Sequence, residues 1–135
     1  MRKSLFEAGY FNKGYVVFEQ DSSLWWLRFL KPGFRHCYLL VQLSSQPEKW
    51  LEINPMSNQI YVFLHTNPLN LSYICHLQKT TNSHIVAVDF AQAPLKCAPF
   101  APFTCVEFVK RVLGIHKFSV FTPYKLYKYL CNTKK

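Results

Sequence analysis

The sequence predicts an α+β domain with an antiparallel sheet packed against helices, because short apolar runs dominate the first two thirds and capped helical patterns the last. Three observations carry this. Apolar runs bounded by turn residues recur from Gly14 to Asp89. The stretch 104–114 repeats apolar residues at helical spacing. Thr122-Pro123 then opens a second helical pattern near the C-terminus. Strands first and helices last favour an antiparallel sheet over alternating β-α-β units.

Gly14–Glu19 and Leu24–Phe29 read as early strands separated by the turn-forming Gln20-Asp21-Ser22-Ser23. His36–Leu43 follows Lys31-Pro32-Gly33 as a buried strand. The polar loop 44–49 leads into a second strand, Trp50–Asn54, that stops at Pro55. Ile60–Leu64 is another short strand. Residues after Asn67-Pro68 suit a short helix through Leu77, although Leu71, Tyr73 and Cys75 also alternate as in a strand. His84–Asp89 is the last strand. The loop 93–102 carries three prolines (Pro94, Pro99, Pro102) and runs straight into the first C-terminal helix.

In that helix Thr104 is the expected N-cap, with Glu107 completing a capping box, and Gly114 stands where a C-cap glycine belongs. Cys105, Phe108, Val109, Val112 and Leu113 form one predicted buried stripe. Thr122 is expected to cap the final helix, with Pro123 at its first position and Leu126, Tyr127 and Leu130 facing the core.

At 135 residues the chain fits one domain, 1–135, with no repeat or low-complexity linker. A hydrophobic content of 50% excludes global disorder, and three tryptophans and twelve phenylalanines can fill a core without disulfides. Five cysteines without a C-x-x-C spacing read as free thiols of a reducing compartment. Met1-Arg2-Lys3 begins like a signal segment, but Glu7, Gly9, Asn12 and Lys13 interrupt any apolar core. No apolar run is long enough to cross a bilayer. The expectation is a protein without a signal peptide or transmembrane segment, cytoplasmic or virion-associated.

The formal charge is +9. Lys110, Arg111, Lys117, Lys125, Lys128, Lys134 and Lys135 concentrate it in the last third. Such a face is either simply solvated or attracts an anionic partner: a nucleic acid, a membrane or an acidic glycan. Lys125, Lys128, Lys134 and Lys135 are the residues expected to make that contact, and no nucleic-acid motif accompanies them.

Cys105 occupies the first position of its helix, where unpaired N–H groups and the helix dipole favour a thiolate. A nucleophilic thiol needs a base, and the base needs an orienting group. His36 opens its predicted strand, and the hairpin places the end of the next strand beside it. Asn54 is therefore the nearer partner, with Glu52 on the same face as the substitute. Cys97 has no helix start after it, and His65, His84 and His116 have no carboxylate or amide partner at local spacing. The adjacent pairs His36-Cys37 and Cys75-His76 point apart on a strand, which argues against a metal site.

The order His36, Asn54, Cys105, on the pieces FRHCYLLVQ, WLEINP and FTCVEFVKRVLGI, resembles the circularly permuted branch of the NlpC-type papain-like superfamily. That branch includes lecithin:retinol acyltransferase-like proteins, bacterial permuted amidases and small phage-associated proteins. The resemblance covers roughly residues 14–115 and rests on three short motifs. It implies a permuted papain-like fold and a Cys-His-Asn triad of a hydrolase or acyltransferase. The substrate would be a peptide, a peptidoglycan crosslink or an acyl ester, with no metal or organic cofactor. The backbone N–H of Cys105 would be one oxyanion donor. Pro99, six residues upstream, offers neither a side-chain amide nor an N–H as the second. The alternative is a basic structural or interaction protein, of a phage particle for instance, that keeps the fold without turnover.

Overall fold

A computed structural model describes residues 11–20, 25–56, 58–67, 71–90 and 104–134, with the backbone alone for 12, 25, 26 and 71. The five strands are β1 (Phe11–Glu19), β2 (His36–Leu43), β3 (Trp50–Pro55), β4 (Ile60–His65) and β5 (His84–Val88). They form one antiparallel sheet in the order β4-β3-β2-β1-β5. The helices α1 (Leu71–Thr81), α2 (Cys105–Val112) and α3 (Pro123–Asn132) pack against it. The architecture is α+β.

Strand alternation sorts the core onto two faces. Val16, Phe18, Cys37, Leu39 and Val41 face α2 and α3, whereas Val17, Tyr38, Leu40 and Trp50 face Tyr73 and Leu77 of α1. Helix α1 carries the chain from β4 at one edge to β5 at the other, and Asn82 ends it in the left-handed conformation (φ 51°) that asparagine tolerates. In β1, Gly14 leaves room for an aromatic ring: a Cβ there would stand 2.5 Å from Cζ of Phe90. That contact excludes any larger residue unless Phe90 moves.

One early element changes and one open alternative is resolved. Trp25–Phe29 is a 3-10 helix rather than a strand. Leu27 is buried while Arg28 and Phe29 are exposed. Among the described side chains of that run Leu27 alone is buried, and the Leu30 N–H closes onto the Leu27 carbonyl at 3.0 Å. An unbroken apolar run has no period to separate these outcomes. The segment after Asn67 resolves to the helix of its two readings, α1.

Helix α2 is capped at both ends. The Glu107 N–H donates to Thr104 Oγ1 at 3.1 Å. Gly114 (φ 70°) allows its own N–H to reach the Arg111 carbonyl and the Ile115 N–H to reach that of Lys110, which is a Schellman closure. The buried stripe is rotated from the expected one. Val106, Val109 and Leu113 are buried and Cys105, Phe108 and Val112 half-buried. Each fully buried apolar side chain is worth about 1.5–3 kcal/mol. Those three anchor the helix and leave Cys105 at the margin of the stripe. Helix α3 begins as expected, with Thr122 Oγ1 accepting from the Lys125 N–H at 3.3 Å and Leu126 and Leu130 buried.

Candidate active site

One rim of the sheet gathers the start of β2, the end of β3, the end of β1 and the first turn of α2. In β2–β3 the register pairs Leu39 with Ile53 and Leu40 with Glu52. Extending it sets Tyr38 opposite Asn54, with His36 diagonal to Asn54 on the same face. His36 Nε2 donates to Asn54 Oδ1 at 2.7 Å. The other ring nitrogen is then left for Cys105, whose sulfur interacts with the imidazole and raises its pKa. His36, Asn54 and Cys105 are thus brought together.

Glu52, the substitute for Asn54, does not hold His36. Its carboxylate Oε2 lies 3.1 Å from His65 Nε2, across the β3–β4 pair. The side chain is one strand pair further from the rim than Asn54, so His65 reaches it first. His65 accordingly has the carboxylate partner that local spacing did not reveal, and its ring stacks on Trp50 at 3.9 Å. His84 sits in an aromatic nest, 4.4 Å from the Phe34 ring and 5.6 Å from that of Tyr127. Cys97, Pro99 and the proline-rich loop lie outside the described residues.

Electrostatics couples the two reacting groups. Burial opposes a charged His36, but the hydrogen bond and charge of Cys105, the bond to Asn54 and the Glu19 carboxylate outweigh it and raise the imidazolium pKa to about 9. Glu19 is the register partner of His36 across β1–β2. Cys105 is held well below the ordinary thiol range. A hydrogen bond from the Cys37 thiol contributes most, against the cost of burial, and the bond and charge of His36 add to it. Cys37 moves the opposite way, pushed up by burial and by the neighbouring Cys105 sulfur. The resting pair is a thiolate beside an imidazolium.

Sequence reasoning missed Cys37 and Glu19. Alternation does turn His36 and Cys37 to opposite faces, but α2 starts at the end of β2, where Cys105 interacts with both. Glu19 ends its strand opposite His36, a position visible only once the β1–β2 register is known.

The basic C-terminal third divides. Lys110 is buried, with Nζ 2.6 Å from Glu107 Oε1, and Arg111 Nε is 3.8 Å from the other oxygen of that carboxylate. Lys110 is therefore a core ion-pair partner rather than surface charge. Lys125 and Lys128 are exposed, their ammonium groups over the rings of Phe121 at 3.7 Å and Tyr124 at 5.7 Å. Lys134 is exposed, and Lys135 lies outside the described residues. No helix among the described residues is long and apolar enough to cross a membrane.

No protein-family model, curated protein or solved structure matches the chain.

Proposed function

We propose that the protein is a cysteine-dependent hydrolase or acyltransferase of the permuted papain-like type, acting on an amide or ester. The observation that carries this is His36 held between Asn54 and Cys105, with the charges of an ion pair. The Cys105 thiolate attacks the carbonyl carbon and an S–C bond forms. The oxyanion is received by the backbone N–H of Cys105, which at the first position of α2 has no carbonyl one turn back to bond. The His36 imidazolium gives its proton to the leaving amine or alcohol as the C–N or C–O bond breaks. Neutral His36 then takes a proton from water, or from an acceptor alcohol or amine, as that group displaces the thiolate from the acyl-enzyme. Asn54 keeps the ring oriented through both transfers. Peptide, peptidoglycan and acyl-ester substrates share this chemistry.

The test is hydrolysis of an activated ester by the wild type and by Cys105→Ala. Loss of turnover in the variant with little change in melting temperature is expected, because a half-buried first-turn thiol contributes little to packing. Activity retained by Cys105→Ala ends the reading.

A second reading, a basic interaction protein without turnover, is favoured by one observation. Residues 108–135 contain no acidic side chain. In that stretch Phe118 and Phe121 are 69% and 58% exposed beside Lys117 and Lys125. An anionic partner would find charge and apolar surface together there. Thiol reactivity separates the two readings, since a merely packed cysteine is inert at mildly acidic pH.

A further inference from the structure

Cys37 directly follows His36 in β2, and its side chain turns to the face covered by α2 and α3. It is fully buried, and Cys105 packs against the same core cluster. Cys105 opens α2, the helix packed on β2, and interaction with the thiol and backbone N–H of Cys37 helps to hold the Cys105 sulfur well below the ordinary thiol range. Both residues are free thiols. A core cysteine ordinarily behaves as a small hydrophobe. Here the buried sulfur neighbours a thiol placed at a helix N-terminus beside a histidine.

We propose that Cys37 is the partner thiol of Cys105: it positions the reduced sulfur by hydrogen bonding, and under hydrogen peroxide it closes a reversible Cys37–Cys105 disulfide that masks the site. The inference deepens the reading of Cys105 as a nucleophile and rests on it. Because Cys37 is sealed from solvent, peroxide reaches it only through Cys105. The Cys105 thiolate attacks peroxide; an S–O bond forms, the O–O bond breaks, and the departing hydroxide takes a proton from the His36 imidazolium to become water. Cys105 is then a sulfenic acid. The Cys37 sulfur attacks the Cys105 sulfur, an S–S bond forms, the S–O bond breaks, and the Cys37 proton leaves with the hydroxide as a second water. Two thiols and one peroxide give one disulfide and two waters, the sulfurs supplying the two electrons. Closing the S–S bond, about 2.05 Å long, draws the first turn of α2 toward β2.

Among the described residues, the charged and titratable groups acting on this pair are His36 on β2 and Glu19 on β1, and α3 adds Tyr127 and Cys131 to the same core cluster. The experiment leaves all of them unchanged and alters Cys37 alone. Full-length protein is treated with a small excess of hydrogen peroxide, quenched with iodoacetamide and measured by intact mass and peptide mapping. The wild type should lose about 2 Da before alkylation, yield a crosslinked Cys37–Cys105 peptide pair, and regain Cys105 alkylation after dithiothreitol. Cys37→Val should instead gain about 32 Da at Cys105 as irreversible sulfinic acid. In the reduced protein the same variant should shift the pH profile of Cys105 alkylation to the alkaline side by about one unit, a readout that lost packing alone would not move. Cys37→Ser, which keeps a small polar donor, serves if the valine variant does not fold. It should show the same failure to form the disulfide, with a smaller shift of the profile.

Sulfinic acid accumulating in the wild type as fast as in Cys37→Val, or a disulfide mapped to another pair, overturns the proposal. The assay follows sulfur rather than turnover. A protein that forms the disulfide yet hydrolyses nothing sinks the hydrolase reading and leaves this one standing, and the reverse result does the opposite.

Discussion

Asn54 accepts a hydrogen bond from His36 at 2.7 Å across the β2–β3 hairpin, and that bond selects the imidazole nitrogen that faces Cys105. With Nε2 committed to an amide oxygen, the ring can only present its second nitrogen to the sulfur. Ring orientation is set by one contact within one hairpin, while the Cys105 sulfur does more than Asn54 to hold the proton on the ring.

The first prediction concerns pH. The imidazolium holds its proton up to about 9, and the Cys105 thiolate persists well to the acid side of an ordinary thiol. Iodoacetamide near pH 6 should therefore label Cys105 ahead of Cys75, although Cys75 is the more exposed. Its rate should stay flat through neutrality. Above pH about 9 the imidazolium loses its proton while the thiolate remains, so alkylation continues and turnover that needs a proton donor falls. A labelling rate rising about tenfold per pH unit up to the ordinary thiol pKa of about 8.5 contradicts the ion pair.

Removing the two imidazole functions should give graded losses. His36→Ala deletes the acid and base and should lower kcat by about 10²–10⁴-fold. Asn54→Ala only frees the ring to rotate, so its effect should be smaller and should spare the melting temperature. Steady-state kinetics on one activated ester decides the order, and an Asn54 variant as impaired as the His36 variant contradicts it.

Glu107 should matter more than Lys110. Lys110 is 3% exposed and its ammonium is held by Glu107. Glu107→Ala strands a buried charge and should cost about 3–5 kcal/mol, whereas Lys110→Met removes the charge and keeps the packing, at little cost. Denaturant melts of both variants test this, and equal destabilisation counts against a buried pair.

Converting Lys125, Lys128, Lys134 and Lys135 to glutamine should weaken retention on an anionic resin and flatten its salt dependence, while ester hydrolysis stays unchanged. Identical elution of the variant and the wild type shows that those lysines take no part in binding an anionic surface.

Much of the frame was legible in the sequence, for reasons that differ by element. Helix α2 announced itself because Thr104, Glu107 and Gly114 each carry a local signal that needs no tertiary partner, and His36–Leu43 because a bounded apolar run of that length suits a strand. Leu24–Phe29 misled because it lacks a period. The site followed the same division. His36 and Asn54 belong to one hairpin, so strand spacing nearly decides between Asn54 and Glu52. Cys37 stayed hidden because its proximity to Cys105 depends on where α2 meets the sheet, which no local pattern encodes.

Strand β4 has a consequence of a different kind. Ile60, Tyr61, Val62, Phe63 and Leu64 are each 40–58% exposed on an edge strand, with no charge among them. Edge strands usually carry a lysine, a proline or a bulge that discourages a second chain from adding on. Here that protection falls to the long-range repulsion of a +9 molecule. Salt shrinks that repulsion to about 8 Å at physiological strength. Concentrated stocks should therefore cloud as salt is raised, and Val62→Lys should keep them clear; light scattering against ionic strength reads both.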